Sequence, residues 1–410
     1  MNSLDLDFVR AQFPTPCFEW AFFESAGGSF VPNSVIERLT AYMRQSQVQP
    51  AGAYPASVLA TQRMDSGHRL MAEMIGADQD EVVIAASTSI NAYVLAHALR
   101  PLWHDGDEVI VASQNHEANA GPWRRLAETG ITVVDWPVDP LTGDLDPALL
   151  DDLLSERTRI VAFPHVSNIV GAINDVAAIT KKVHDAGAQV VVDGVAYAPH
   201  RLVDVKAWDV DFYLFSFYKV FGPHMGCLYG KRQRLIEATP QSHYFFDPAD
   251  TAHNLNPAGP NHESIAALAG IADYFEALAA HHLDAPPNDL HGRVGAVFEL
   301  IADHEQALAE RFVDFAAAKP GLRLIGPNVG DKTLRAPTFT FTVEGRASAE
   351  IPPLLLDDRI AVAHGDFYAP RLLGGLGITD TNDGVVRASM AHYNTLDEVD
   401  RLIAALDRII

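Results

Sequence analysis

Residues 189–230 read QVVVDGVAYAPHRLVDVKAWDVDFYLFSFYKVFGPHMGCLYG, and the fold turns on how this stretch is parsed. Two apolar runs rich in β-branched and aromatic residues, Gln189–Val192 and Asp211–Phe217, predict strands buried on both faces. Each leads to one ionisable residue, Asp193 after the first and Lys219 after the second. A Gly/Pro-rich loop follows Lys219, and Cys227–Tyr229 forms another short apolar run. In a parallel sheet the carboxyl ends of neighbouring strands open onto one crevice, where ligands bind. A lone strand-end aspartate is ordinarily a cap, and a lone loop lysine is ordinarily a solvated amine. Here Phe217, Tyr218 and Phe221 surround the lysine, and burial lowers a lysine's pKa and makes it a better nucleophile.

Outward from this stretch, strand and helix signals alternate between Glu81 and Tyr229. Strands are expected at EVVIAAS, DEVIVAS, TVVDW, RIVAFP, QVVVD, DFYLFSF and GCLYG, with helices beginning near Ser89, Ala118, Asp146 and Asp175. Such alternation predicts a mostly parallel, seven-stranded sheet with helices on both faces, an α/β fold. Residues 262–320 are Ala-rich and predict one or two long helices. After Gly321 come strand signals at LRLIG, PTFTFTV, IAVAH and VVRASMA, with helices near 347–357 and 396–410. They predict a smaller α+β unit on an antiparallel sheet. The expected division is a large domain over 21–285 and a small one made of 1–20 and 286–410. Residues 1–35 look irregular apart from a short helix before Pro14, and Gly27-Gly28 allows a close backbone approach.

Composition narrows the function classes. With 30 Lys+Arg against 53 Asp+Glu in 410 residues, the formal net charge is −23. That surface repels phosphate backbones and anionic lipid, so neither nucleic acid nor membrane is an expected partner. Two isolated cysteines, Cys17 and Cys227, make no disulfide framework or zinc motif. The acidic MNSLDLDFVRAQFP start lacks the apolar core of a signal peptide, and no apolar run is long enough to span a bilayer. The expectation is a cytoplasmic protein.

Several motifs point at the same crevice. Ser87, Thr88 and Ser89 sit where a strand turns into a helix, a place where hydroxyls and free N–H groups grip phosphate or simply cap the helix. Ser216, three residues before Lys219, supplies another hydroxyl. His116 in QNHEANAGPW follows a strand and is positioned to stack on a flat heteroaromatic ring. Asn168 in HVSNIVGA follows another strand and is either a donor to a ligand oxygen or a turn residue. Arg387, inside VVRASMA, calls for a carboxylate partner, internal or from an amino-acid substrate. No GxGxxG follows a strand, which disfavours a dinucleotide oxidoreductase. MGCLYGKR lacks phosphate-loop spacing, and HEANA and HEQAL lack a second zinc-binding histidine. The amine and acid suit pyridoxal 5′-phosphate: Lys219 to form the imine with its aldehyde, Asp193 to keep its pyridine nitrogen protonated. A scaffold that has lost its chemistry is the remaining alternative, and the retained pair argues against it.

With these residues assembled, the chain resembles the class V aminotransferase branch of fold-type I pyridoxal-phosphate enzymes, near the cysteine desulfurase and selenocysteine lyase group. ESAGGSFVP, ASTSIN, NHEAN, VSNIVGAIND, VVVDGVAYAPH, FSFYKVFGP, AGPNHES and VRASMAHYNT occur in the family's order. The resemblance implies Lys219 as the Schiff-base lysine, Asp193 opposite the pyridine nitrogen, His116 on the ring and Asn168 near the cofactor hydroxyl. It implies Ser87, Thr88 and Ser216 on the phosphate, with Tyr218 and Ala196 standing where the family has histidine and glutamine. Arg387 would take the substrate carboxylate, with Gly28, Tyr368 and His364 nearby. Gly259–Asn261 would reach the site from a second subunit, because family members are homodimers with shared active sites; Asn261 or His262 would compensate for Pro260, which replaces a phosphate-binding threonine. Tyr368 lies in the loop where desulfurases carry a nucleophilic cysteine, so transamination, lysis at Cβ or epimerisation is expected rather than persulfide formation. Residues 242–258 and 364–376 are expected to line the entrance.

Overall fold

The computed structural model describes residues 3–247 and 249–410. Met1, Asn2 and Pro248, which fall in the expected N-terminal piece and entrance loop, lie outside the described residues.

The largest sheet has seven strands in the spatial order Val82–Ala85, Gly226–Gly230, Phe212–Ser216, Gln189–Asp193, Thr158–Pro164, Glu108–Ala112 and Thr132–Trp136. Its centre is built from the β-branched runs anticipated above: Val190, Val191 and Val192 are fully buried, as are Ile160 and Val161 beside them. Each such side chain removed from water contributes roughly 1.5–3 kcal/mol, so the centre of the sheet cannot shift register cheaply. Every pairing in it is parallel except those of Gly226–Gly230, which runs antiparallel to both neighbours. Strand direction leaves no mark in so short an apolar run, whereas the nine-residue link 217–225 between Phe212–Ser216 and Gly226–Gly230 is too short for a parallel crossover.

Helices Thr88–Leu99, Glu117–Arg124 and Val176–Asp185 begin within a residue or two of their expected starts, capped by Ser87, His116 and Asp175. The one expected near Asp146 is a 3₁₀ turn, Pro147–Leu149, running into Leu150–Leu153. Helices Asn33–Gln45 and Pro55–Met74, which drew no reading from the sequence, pack on His262–His282. Their seam is tight: a Cβ at Gly67 would lie 1.9 Å from the Ile265 carbonyl oxygen.

The second sheet has the order Ala363–Gly365, Val385–Ser389, Thr338–Val343, Leu322–Ile325 and is antiparallel throughout. Leu290–Ala318 and Leu396–Ile409 cover it, burying Leu308, Phe312, Val399 and Leu402 against Phe339 and Phe341. The expected strand IAVAH divides: Ile360–Ala361 pairs in parallel with Ala21–Phe22, and only Ala363–Gly365 joins the antiparallel sheet. The helix expected near 347–357 is reduced to Ser348–Glu350 and Ile351–Leu354, since Pro352 and Pro353 lack the N–H groups that extend a helix. Contacts cross the expected domain limits in both directions. Leu4, Val9 and Phe13 pack in the large cluster, whereas Ala21 and Phe23 pack with the small sheet.

Candidate active site

Strand Gln189–Asp193 ends in a carboxylate that is 5% exposed, and Asp193 Oδ1 accepts the Val195 N–H at 2.9 Å. The adjacent strand Phe212–Ser216 runs into a 3₁₀ turn, Phe217–Lys219, that buries the lysine to 7% exposure. Phe217 pins the turn: its N–H donates to the Met225 carbonyl at 2.9 Å, and its carbonyl accepts from Val220 and Gly222. The Lys219 amine has no hydrogen-bond or ion-pair partner among the described residues. Burial pulls its pKa down to about 8, helped by the charge of Arg387 and opposed by Asp193 and Glu24. Burial likewise pushes Asp193 up to about 6, against the Val195 N–H and Lys219. Acid and amine thus face one cavity, each destabilised in its charged form and neither neutralised by the other.

An anion cradle forms opposite. Ser87 caps helix Thr88–Leu99, its hydroxyl accepting from Ile90 N–H at 3.2 Å, and the Thr88 and Ser216 hydroxyls meet at 2.7 Å. The first-turn N–H groups of a twelve-residue helix therefore open on a hydroxyl-lined corner. Gly226, paired with Ala85 on one side and Ser216 on the other, forms the floor. A Cβ there would stand 2.3 Å from the Ser87 carbonyl carbon and the Thr88 nitrogen, so only glycine lets the reversed strand pass beneath the helix start.

His116 completes the wall. Its Nδ1 accepts the Ala118 N–H at 3.0 Å, which places the ring proton on Nε2. Burial, then the charges of Lys219 and Arg387, push its pKa to about 3, so the ring is neutral. Asn168 donates from Nδ2 to the Phe367 carbonyl at 2.9 Å, and its own carbonyl accepts from Arg387 Nη1 at 3.3 Å.

These groups enclose a cavity that opens to solvent on one side. Ser87, Thr88, Ser216 and Tyr218 line it together with His116, Asn168, Asp193, Ala196 and Lys219, all sites anticipated from the sequence. Gly28 lies against Tyr218, with 3.6 Å between a Cβ built on it and the ring. Arg387 stands at the margin behind Asn168, 3% exposed, with its guanidinium 3.8 Å over the Phe367 ring. Tyr368 borders the mouth, its ring 5.3 Å from that of His116. One expected residue lies elsewhere, and Asn261, expected to serve a neighbouring subunit, stays clear of its own chain's cavity. His364 is exposed and bonds the Asp383 carbonyl at 3.3 Å. Since Ala363 is the residue that pairs with Arg387, alternation turns His364 to the other face of the strand. Asn261 caps helix His262–His282, accepting from Ser264 N–H at 3.0 Å, away from the cavity of its own chain. Sequence reading missed Glu24, 3.5 Å from Arg387, and Phe367; their positions 363 and 20 residues from Arg387 gave no local signal.

A mostly parallel sheet whose strand ends bring a buried lysine, an aspartate and a hydroxyl-lined helix start to one cavity defines a fold-type I pyridoxal-phosphate enzyme. The aminotransferase class V family profile matches residues 21–280 and 295–402. The chain is 37% identical to the aminotransferase-like protein FGM3 of Gibberella zeae, covering 100% of this chain and 99% of that one. It is 33% identical to the cysteine desulfurase-like protein ustD of Aspergillus flavus, over 100% and 91%. Among solved structures it is similar to the Escherichia coli cysteine desulfurase CsdA (TM-score 0.83, 28% identity, 99% and 98% covered). It is similar also to a cysteine desulfurase from Thermococcus onnurineus (TM-score 0.86, 25% identity, 100% and 99% covered). The chain belongs to the class V aminotransferase family. Members are pyridoxal-phosphate-dependent enzymes, and the chain is an enzyme of that class.

Proposed function

We propose that the cavity holds pyridoxal 5′-phosphate and that the enzyme acts at the α-carbon of an amino acid, by transamination. The observation that carries this reading is the desolvated Lys219 amine, without a hydrogen-bond or ion-pair partner among the described residues, lining one cavity with Asp193. The chain's residues suit the cofactor. Thr88, Ser216 and the N–H groups after Ser87 offer donors to a phosphate dianion. Neutral His116 offers a ring to stack on without adding charge. The Asp193 carboxylate would hold a proton on the pyridine nitrogen, because a cation beside it relieves its burial. When bound, the cofactor supplies an electron-accepting ring for the bond broken at Cα.

Arg387 binds the substrate carboxylate in this reading: its Nε is buried without a partner, leaving a donor unused. Lys219 Nζ carries the Cα proton away and returns it, a task suited to an amine whose pKa is drawn toward neutrality. Lysis at Cβ and epimerisation share these steps and remain the rival readings. Persulfide chemistry is disfavoured, because neither cysteine lines the cavity; Cys227 is fully buried in a strand, and burial raises its pKa.

The reading extends to a cytoplasmic homodimer whose Gly259–Asn261 segment serves the neighbouring site. Exposed Tyr244 and Phe245 and the open space around Gly259 support a covering subunit. It also takes 21–285 as the cofactor-binding unit and 1–20 with 286–410 as the smaller one; the separate apolar clusters under the two sheets support two units, while Leu4, Val9 and Phe13 of the first segment pack with the larger. No helix among the described residues is long and apolar enough to cross a membrane.

The test is a panel of amino acids given to protein loaded with pyridoxal phosphate, with a keto-acid acceptor present. Keto acid formed without ammonia or sulfide supports transamination. Ammonia in step with keto acid moves the assignment to Cβ lysis, and activity surviving Lys219→Ala overturns the whole reading.

A further inference from the structure

Beside Arg387 lies a carboxylate for which the proposed chemistry gives no role. Glu24 follows strand Ala21–Phe22 and bridges Ser389, two residues from Arg387 on the same face, so the two side chains are diagonal neighbours. Glu24 Oε1 and Arg387 Nη2 are 3.5 Å apart, longer than the 2.7–2.9 Å of a tight charge-assisted bond. The pair is lopsided. The Arg387 side chain is 4% exposed, stacked on Phe367 and bonded to the Asn168 carbonyl, whereas that of Glu24 is 36% exposed. Arg387 also keeps a buried Nε without a partner. Gly27 leaves the carboxylate room, since a Cβ there would come within 2.8 Å of Glu24 Oε1.

We propose that Glu24 is the resting counter-ion of Arg387, an internal stand-in that a substrate carboxylate must displace, and that it thereby sets the threshold for small carboxylate ligands. The inference rests on the assignment of Arg387 to the substrate carboxylate. A fixed guanidinium with a spare donor can receive an incoming carboxylate on two nitrogens, a geometry that Glu24 at 3.5 Å does not achieve. The mobile member of the pair is the one that already meets water. Its departure is felt beyond Arg387, because the charges of Glu24 and Arg387 act on Lys219 with opposite sign.

The test uses calorimetric titration of the pyridoxal-phosphate-loaded enzyme with propanoate, and with propanamide as the uncharged control. Glu24→Gln is expected to bind propanoate about fivefold tighter, the worth of a loose, partly exposed ion pair, with propanamide unmoved. Glu24→Ala should shift in the same direction, and KM for the amino-acid substrate should fall more than kcat changes. In an Arg387→Met background the Glu24 substitution should have no effect. Equal or weaker propanoate binding by Glu24→Gln, with binding still lost in Arg387→Met, overturns the counter-ion role and leaves the carboxylate assignment standing. Propanoate bound equally well by Arg387→Met overturns both.

Discussion

Replacing Gly226 by alanine tests the link from backbone packing to ligand binding at one point. The added Cβ would sit 2.3 Å from the Ser87 carbonyl carbon and the Thr88 nitrogen, where ordinary contact begins near 3.4 Å. Both obstacles are backbone, so a side-chain rotation relieves nothing. Either the strand or the start of helix Thr88–Leu99 must move by about 1 Å, and the strand is hydrogen-bonded on both edges. Overpacking of this kind costs about 1–3 kcal/mol, and a 1 Å displacement of a positioning group costs on the order of 100-fold in function. The expected result is a thermal midpoint lowered by several degrees and a loss of pyridoxal phosphate affinity well beyond what the stability loss predicts. Differential scanning calorimetry and fluorescence titration with the cofactor read the two effects separately. A variant with unchanged affinity would refute the idea that Gly226 shapes the phosphate corner, even if its stability fell.

Three further outcomes follow from the same geometry. Because burial raises Asp193 from 3.8 to about 6, the cofactor-free protein carries a penalty that is absent below pH 4, grows to pH 6 and is complete above it. Asp193→Asn should therefore melt higher than the unsubstituted cofactor-free protein above pH 6, by on the order of 2–3 kcal/mol, converge with it near pH 4, and lose activity in the loaded form; a lower melt at pH 8 sinks this account. Ser216→Ala removes one hydroxyl of the cradle and should weaken cofactor binding about tenfold with little change in stability, read by equilibrium dialysis. Glu305 is buried and accepts from His200 at 2.8 Å and Arg201 at 2.7 Å, so Glu305→Ala should cost about 3–5 kcal/mol in urea denaturation while leaving cofactor affinity per folded molecule intact.

The central strands were legible because Val190–Val192 and Phe212–Phe215 carry apolar residues on both faces, a pattern with few other solutions. Lys219 and Asp193 were legible because each interrupts such a run at its end. Helix Pro55–Met74 was not: its buried face is made partly of Ser57, Ala60 and Gly67, small residues that carry no apolar stripe but let a neighbouring backbone come close. The reversed direction of Gly226–Gly230 is a property of hydrogen bonding rather than of composition. Glu24 and Phe367 escaped because their meaning comes only from Arg387, brought to them by the small sheet. His364 was misplaced by proximity in sequence, where one step along a strand reverses the side chain's direction.

The short turn that carries Lys219 is tied at Phe217 to Met225, next to the neighbouring strand, and closed by Val220 and Gly222 beyond the lysine. Its backbone has nowhere to travel, so the amine can move only on the leash of its own four methylenes. Any planar, prochiral carbon lodged between that leash and the opposite wall is reached from a single side. Handedness of the product would then be dictated by carpentry in the main chain, and a looser turn would blur it before it slowed the reaction.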